Sequence, residues 1–259
     1  MADYFREYLK VAPLSHALWR ANEARALEKF NFDSSVLDIG CGFGEFAGVF
    51  FDSQITMGID ISKKEIFKAI KAGKYEKALE ADARNLPFPD NSFKTVISIS
   101  VLEHIRGIKK VLSEVYRVLK KDGLFIFTVP TLNLRNSLLF PRVFEKIGLG
   151  SLADFYFYLY NQAFNHEAIY SPKKWKSLTQ KAGFEITHFQ GTLSLKTVVI
   201  YELFLPLALP TQFSKALLGK RLPFSPQWRV NLLYKVFKPL ILQKENSQDN
   251  LLIVARKPR

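Results

Sequence analysis

One cysteine in 259 residues, Cys41, excludes an internal disulfide, and no group of Cys and His has the spacing of a zinc site, so no metal is expected. Both features fit a reducing compartment. The N-terminal MADYFREYLK mixes charges of both signs and lacks an apolar h-region, which argues against a secretory signal and for a cytoplasmic protein by default. No apolar run reaches the roughly 20 residues that span a bilayer. The longest, Val198 to Leu209, carries Glu202 and Pro206. Repeats and low-complexity tracts are absent too, and with 48% hydrophobic residues the chain can bury a core.

What is abundant is positive charge, 37 Lys plus Arg against 24 Asp plus Glu, for a net +13. It is unevenly placed. Residues 1 to 130 hold 19 basic and 17 acidic side chains, whereas residues 131 to 259 hold 18 and 7. An excess confined to one half suggests a polyanionic partner, either nucleic acid or an anionic membrane face.

The first half reads as alternating strands and helices. A helix is expected over 14–30, with Ser15 as its N-cap. Val36–Ile39, Ile55–Ile59, Val96–Ile99 and Leu124–Val129 are short apolar runs of the kind buried on both faces of a parallel sheet. Between the last two, Ile108, Val111, Leu112, Val115, Val118 and Leu119 share one helical face, and Asp122-Gly123 is expected to end that helix. Further on, Ser171-Pro172 opens a helix that Gly183 stops, Glu185–Phe189 is a strand, and Asn250–Ala255 is the last strand.

The chemistry is carried by Asp38-Ile39-Gly40-Cys41-Gly42-Phe43-Gly44, which follows a strand and precedes a helix. Three glycines in five residues permit positive φ and close approach of a ligand. Their G-x-G-x-G spacing differs from the G-x-G-x-x-G of dinucleotide folds. The flanking acids Asp38 and Glu45 suit a cationic ligand better than a pyrophosphate. Asp60 closes the second strand, where a carboxylate can accept two vicinal ribose hydroxyls, and Asp82 opens the loop after the next.

Taken in order, VLDIGCGFGEF, GIDIS, ADARNLPFPDNSF, VISISVLEHI and EVYRVLKKDGLFIFTVP resemble a class I S-adenosylmethionine-dependent methyltransferase of the small-molecule, type 11-like group, over residues 34 to 130. FNHEAIYSPKKWKSLTQKAGFEI, within 164–191, is weakly similar to a later unit of that group. The resemblance implies an α/β, Rossmann-like fold: a seven-stranded, mostly parallel sheet with helices on both faces, a final antiparallel strand and a helical insertion before it. The cofactor it implies is S-adenosyl-L-methionine. Gly40, Gly42 and Gly44 would cradle the methionine part and Asp38 its ammonium. Asp60 would hold the ribose, Ile61 would lie against the adenine, Asp82 and Ala83 would meet the adenine edge, and Ser100 would lie near the sulfonium. Cys41 lacks a recognisable base partner and reads as a small loop residue.

An oxygen or carbon acceptor loses a proton, so a base is sought. His104 follows the fourth strand at the carboxyl edge of the sheet, and His166 lies in the later matching segment. These are the two candidates. Three parts are expected: a helical cap over 1–33, the cofactor domain over 34–191 plus 246–259, and a hydrophobic, basic helical insertion over 192–245. In that insertion TVVIYELFLPLALP, FSKALLGKRLPF and WRVNLLYKVFKPLIL interleave apolar and basic residues, as an acceptor cap or an element lying on anionic lipid would. The expected reaction is methyl transfer to an oxygen or carbon of a small, lipophilic or lipid-linked acceptor. A nucleic-acid methyltransferase and a non-catalytic cofactor-binding module are the alternatives. Against the nucleic-acid reading, the fourth strand is followed by Ser-Val-Leu-Glu-His, not by an Asn/Asp-Pro-Pro-aromatic motif, and the chain has no Pro-Cys pair.

Overall fold

The structure is a computed structural model, and it describes all residues other than 1–2, 33–34, 209, 212–213, 215–220, 223, 242 and 244–246. The expected part boundaries at 33/34 and 245/246, and most of FSKALLGKRLPF, therefore lie outside the described residues.

The chain divides into two units. The larger holds residues 30–132, 161–190 and 250–259. It contains β1 (Val36–Ile39), α3 (Glu45–Phe50), β2 (Ile55–Asp60), α4 (Lys63–Ala72), β3 (Tyr75–Glu80), β4 (Phe93–Ile99), α5 (Ile108–Val118), β5 (Leu119–Pro130), α9 (Pro172–Lys181), β6 (Glu185–Gly191) and β7 (Asn250–Arg256). The strands form one sheet in the order β3-β2-β1-β4-β5-β7-β6. β1 to β5 pair in parallel and β7 runs antiparallel to β5, Phe127 opposite Ile253, so the expected mixed seven-stranded sheet is present. Its order reverses between β1 and β4. Ligands bind outside the carboxyl ends of strands at such a switch point.

The apolar face of α5 does what its spacing predicts, burying Ile108, Val111, Leu112, Val115 and Val118 in the same core as Phe125, Phe127 and Trp175. Ser171 caps α9 by accepting the Lys174 N–H at 3.3 Å, with Pro172 at the first helical position and Gly183 at a φ of 95° just beyond the end.

Three local expectations are corrected. The helix expected over 14–30 ends at Leu27, and Ser15 does not cap it: the cap position is Pro13, in extended geometry, and Ser15 is buried one residue inside the helix. Asp122-Gly123 does not end α5, which stops at Val118. Leu119 already pairs with Phe93, and the left-handed Asp122 sits in the irregular start of β5, donating its N–H to Lys257 O at 2.9 Å. β3, Tyr-Glu-Lys-Ala-Leu-Glu, is an addition to the expected strands. It is an edge strand with exposed charges and therefore has no continuous apolar run.

The smaller unit gathers residues 1–29, 133–160 and 191–249. Residues 133–160 thus group with the N-terminal and late segments, although the sequence pattern places them with the cofactor part. The unit contains α1 (Tyr4–Val11), α2 (Leu14–Leu27), α6 (Leu134–Ser137), α7 (Leu139–Lys146), most of α8 (Gly150–Ala163), α10 (Leu195–Phe204) and α11 (Gln227–Ile241). Among the described residues, no helix is long and apolar enough to cross a membrane.

A buried polar centre ties these helices together. Glu202 of α10, 2% exposed, accepts the backbone N–H groups of Leu139 and Phe140 at the start of α7. The Tyr160 and Tyr201 hydroxyls meet at 3.0 Å. Burial raises the Glu202 carboxyl above its usual range. A carboxyl raised on folding contributes stability that is complete below its unfolded pKa and is lost as pH rises through its folded pKa. Glu202→Gln keeps an acceptor for one of the two N–H groups and removes the titration. The stability of the native chain relative to this variant is therefore expected to fall as pH rises from below the unfolded carboxyl value towards neutrality. Urea unfolding of both proteins across pH measures it, and a constant difference would refute the assignment.

Candidate active site

The site is built where β1, β2 and β4 end. At the end of β1 the chain turns back on β2: the Gly40 and Cys41 N–H groups both donate to Ile59 O, at 2.8 and 2.9 Å. Gly42 then donates its N–H to Asp60 Oδ2 at 3.0 Å, and Ser62 donates its N–H to Asp60 Oδ1 at 2.9 Å. The Asp60 carboxylate is thereby oriented by two backbone donors. An ionised carboxylate offers about four acceptor positions, so two remain for a ligand.

Two of the three glycines are required for identifiable reasons. Gly40, at a φ of 75°, lies against Val101, and a Cβ there would come within 2.9 Å of the Val101 Cβ. Gly42, at 53°, has nothing within 4 Å of where a Cβ would be, so its backbone faces open space. Gly44, also left-handed, caps α3.

A cavity of about 460 Å³ opens over these strand ends. Gly40, Asp60, Ile61, Asp82, Ala83 and His104 line it, all of them anticipated from the sequence. Asp38, Gly42, Gly44, Ser100 and His166 are not among its lining residues. Asp38 is buried within β1 and accepts the Tyr75 hydroxyl at 2.8 Å. Burial and the Asp38 charge in turn push the Tyr75 phenol well above its ordinary value. Ser100, left-handed at a φ of 51°, donates its N–H to Thr128 Oγ1 at 3.0 Å. The Cys41 thiol is buried, and burial with the charges of Asp38 and Asp60 pushes it far up, so it is no nucleophile at neutral pH.

Other lining residues escape sequence reasoning. Arg84 holds Asp82 in a two-pronged ion pair, Nε to Oδ1 at 3.0 Å and Nη2 to Oδ2 at 2.7 Å. Its hydrogen bonds keep the Asp82 carboxyl below the usual range. Arg106 pairs in the same way with Glu167, at 2.8 and 2.9 Å, joining the loop after β4 to the segment before α9. Arg84 stands two residues from Asp82, and that proximity is a readable signal. The 61 residues between Arg106 and Glu167 leave none.

His104 and His166 come together, their ring centroids 5.3 Å apart. His104 Nδ1 lies 3.1 Å from Asn165 O, and His166 Nδ1 lies 2.9 Å from Asn161 Oδ1. Burial, and secondarily His104, lower the His166 pKa to about 4. His166 is therefore neutral at pH 7.

Residues 37–127 match the family model described as a methyltransferase domain. That matched segment holds Gly40, Asp60, Asp82 and His104 of the cavity lining. The chain is 31% identical over 160 residues to a ubiquinone/menaquinone biosynthesis C-methyltransferase of Rickettsia bellii, covering 56% of this chain and 58% of that protein. It is 33% identical over 132 residues to a sterol 24-C-methyltransferase of Pneumocystis carinii, covering 47% of this chain and 35% of that one. It thus spans at most about three fifths of these relatives' own length. Among solved structures, an S-adenosylmethionine-dependent methyltransferase of Thermotoga maritima shares the fold over 94% of this chain and 91% of its own, with a TM-score of 0.58 and 20% identity.

The residues present in segment 37–127 fit S-adenosyl-L-methionine. A backbone-oriented carboxylate with two acceptor positions suits a ribose. Ile61, apolar yet 69% exposed on the cavity wall, suits the face of a purine. The left-handed, open backbone at Gly42 leaves room for close approach.

Proposed function

We propose that this chain transfers the methyl group of S-adenosyl-L-methionine to an oxygen or carbon of a small, lipophilic or lipid-linked acceptor, an EC 2.1.1 reaction. The observation that carries this reading is the cavity at the carboxyl ends of β1 and β2, with the Asp60 carboxylate held open by the Gly42 and Ser62 N–H groups. Asp60 takes the ribose, Ile61 the adenine face, and Asp82 with Ala83 the adenine edge. Gly40, Gly42 and Gly44 shape the space for the methionine part, Asp38 adds negative charge beneath it, and Ser100 lies towards the sulfonium.

The bound cofactor supplies a methyl group on a sulfonium whose departure leaves a neutral sulfide. The protein's own task is alignment, which contributes roughly 7 to 11 kcal/mol in well-oriented systems, together with removal of the acceptor's proton. His104 and His166 are the groups at this edge that serve the proton. With methyl-labelled cofactor and a fractionated extract, label is expected in the lipid-soluble fraction. Label confined to RNA would replace this reading with the nucleic-acid one, and cofactor binding with no label transfer would favour a binding module.

The smaller unit supports a cytoplasmic protein that works peripherally at the inner face of a membrane. Trp228, Leu232 and Val236, spaced by one helical turn on α11, are all exposed, and Lys235 and Lys238 beside them are exposed too. Apolar and basic side chains on one surface helix suit anionic lipid. Each basic residue near such a surface adds about 1 kcal/mol. Lys235→Ala is therefore expected to weaken binding to phosphatidylserine-containing vesicles about fivefold. Co-sedimentation at low and high salt measures this, and equal binding of the variant would remove Lys235 from the contact.

A further inference from the structure

The expectation of no metal rests on linear spacing, and the fold joins residues that spacing keeps apart. Glu103 and His104 lie in a single 3₁₀ turn, Leu102–His104, directly after β4. The Glu103 carbonyl accepts the N–H groups of Glu167 and Ala168 at 2.7 and 2.9 Å. These two bonds clamp the segment before α9 against the turn, and the clamp brings His166 beside His104.

The hydrogen bonds around the two imidazoles select which nitrogen can act. Each Nδ1 faces a carbonyl oxygen, Asn165 O for His104 and Asn161 Oδ1 for His166. A carbonyl only accepts, so Nδ1 carries the proton and the lone pair of the neutral ring lies on Nε2. Ligating histidines are oriented by such bonds from the other ring nitrogen. The third group is the Glu103 carboxylate, whose side chain is 3% exposed and whose Oε1 lies 3.9 Å from His104 Nε2. One ligand atom from each of Glu103, His104 and His166 falls within 4.8 Å of the others.

We propose that Glu103, His104 and His166 form a site for one divalent transition-metal ion at the rim of the cofactor cavity. Two imidazoles and a carboxylate favour Zn²⁺ or Mn²⁺ over the all-oxygen preference of Ca²⁺ and Mg²⁺. Bonds of about 2.0 to 2.2 Å place neighbouring ligand atoms roughly 3 to 3.5 Å apart, so side-chain adjustments of about 1 Å close the set. His104 also lines the cavity. Resting on the methyl-transfer reading, the site assigns both Nε2 lone pairs to the ion, so in the metal-bound chain the cation takes over from the imidazoles by lowering the pKa of an oxygen it contacts, and the acceptor class narrows to one bearing an ionisable oxygen.

The test uses the full chain, stripped with chelator and titrated with ZnCl₂ or MnCl₂, with stoichiometry read by elemental analysis and Mn²⁺ binding by electron paramagnetic resonance. One ion per chain is expected, with a Kd of about 10 µM or tighter. His104→Ala, His166→Ala and Glu103→Gln are each expected to weaken it at least about tenfold, while His16→Ala and His188→Ala leave it unchanged. If an alanine variant unfolds, His166→Gln keeps a polar side chain of similar reach and replaces it. No binding by the native chain, or equal losses in the two control variants, would overturn the site. S-adenosylmethionine affinity of the metal-free protein is measured alongside. Retained affinity with no metal bound would remove the metal site and leave the methyltransferase reading standing, whereas lost affinity in the native chain would strike the latter.

Discussion

Asp60→Ala is expected to weaken S-adenosylmethionine binding about 30-fold, corresponding to roughly 2 kcal/mol. Charge-assisted hydrogen bonds are worth about 1.5 to 3 kcal/mol each, and a ribose would draw on both acceptor positions left on this carboxylate. The variant also releases the Gly42 and Ser62 N–H groups, which now terminate on Asp60. Asp60→Asn separates the two contributions, since its single carbonyl oxygen can serve one of those donors but not both. An intermediate affinity is expected for it. Isothermal titration calorimetry of the three proteins, with thermal unfolding to confirm their folding, decides the matter. Equal affinities would sink the ribose assignment.

The second large effect falls on the fold itself. Gly40→Ala meets two separate penalties: a φ of 75°, which is costly for any side chain, and a Cβ 2.6 Å from Val101 Cγ2 and closer still to Cγ1. A left-handed alanine costs about 1 to 2 kcal/mol and a forced overlap in a packed site about 1 to 3, for an expected loss of about 3 kcal/mol. Val101→Ala removes the two Cγ overlaps and leaves the backbone penalty and the 2.9 Å approach to the Cβ at 101. The double variant should therefore recover about 1 to 2 kcal/mol relative to the sum of the single changes. Urea unfolding of all four proteins measures it, and strict additivity would show that Val101 is not what excludes a side chain at position 40. Because Gly40 and Val101 both line the cavity, cofactor affinity should fall with Gly40→Ala as well.

Much of the larger unit is legible in the amino-acid sequence, for local reasons. Strands buried on both faces announce themselves as apolar runs, and α5 and α9 carry their periodicity and, for α9, its caps in neighbouring residues. The glycine loop and Asp60 are legible because a turn needing positive φ and a strand-ending carboxylate leave marks at single positions. β3 is not, because this edge strand exposes Glu76, Lys77 and Glu80 and so carries no continuous apolar run. Asp122 misleads for a related reason. Its left-handed backbone is real, but it belongs to the irregular start of β5, where pairing with Phe93 on one side and Lys257 on the other decides that use.

Among the site residues the same division appears. Gly40, Asp60, Ile61, Asp82, Ala83 and His104 are recognisable from the sequence and all line the cavity. Arg106 and Glu167 are not, because their ion pair joins segments far apart in the chain. The grouping of residues 133–160 with the N-terminal and late segments also has no local sign. It depends on contacts such as Glu202 with the start of α7, in which a single acid inside an apolar run meets two backbone donors more than 60 residues away.

The uneven charge, the strand-and-helix alternation, the glycine loop and the order of its acidic partners are all determined within the sequence, since each depends on residue type and on neighbours a few positions away. Tertiary structure alone decides that Gly42 joins Ser62 in orienting Asp60, that Arg106 meets Glu167, and that Glu103, His104 and His166 converge. The physical reason is range. Periodicity, capping and backbone φ act along the chain, whereas the direction of a carboxylate or an imidazole is set by whichever donor or acceptor the folded sheet brings within about 3 Å of it.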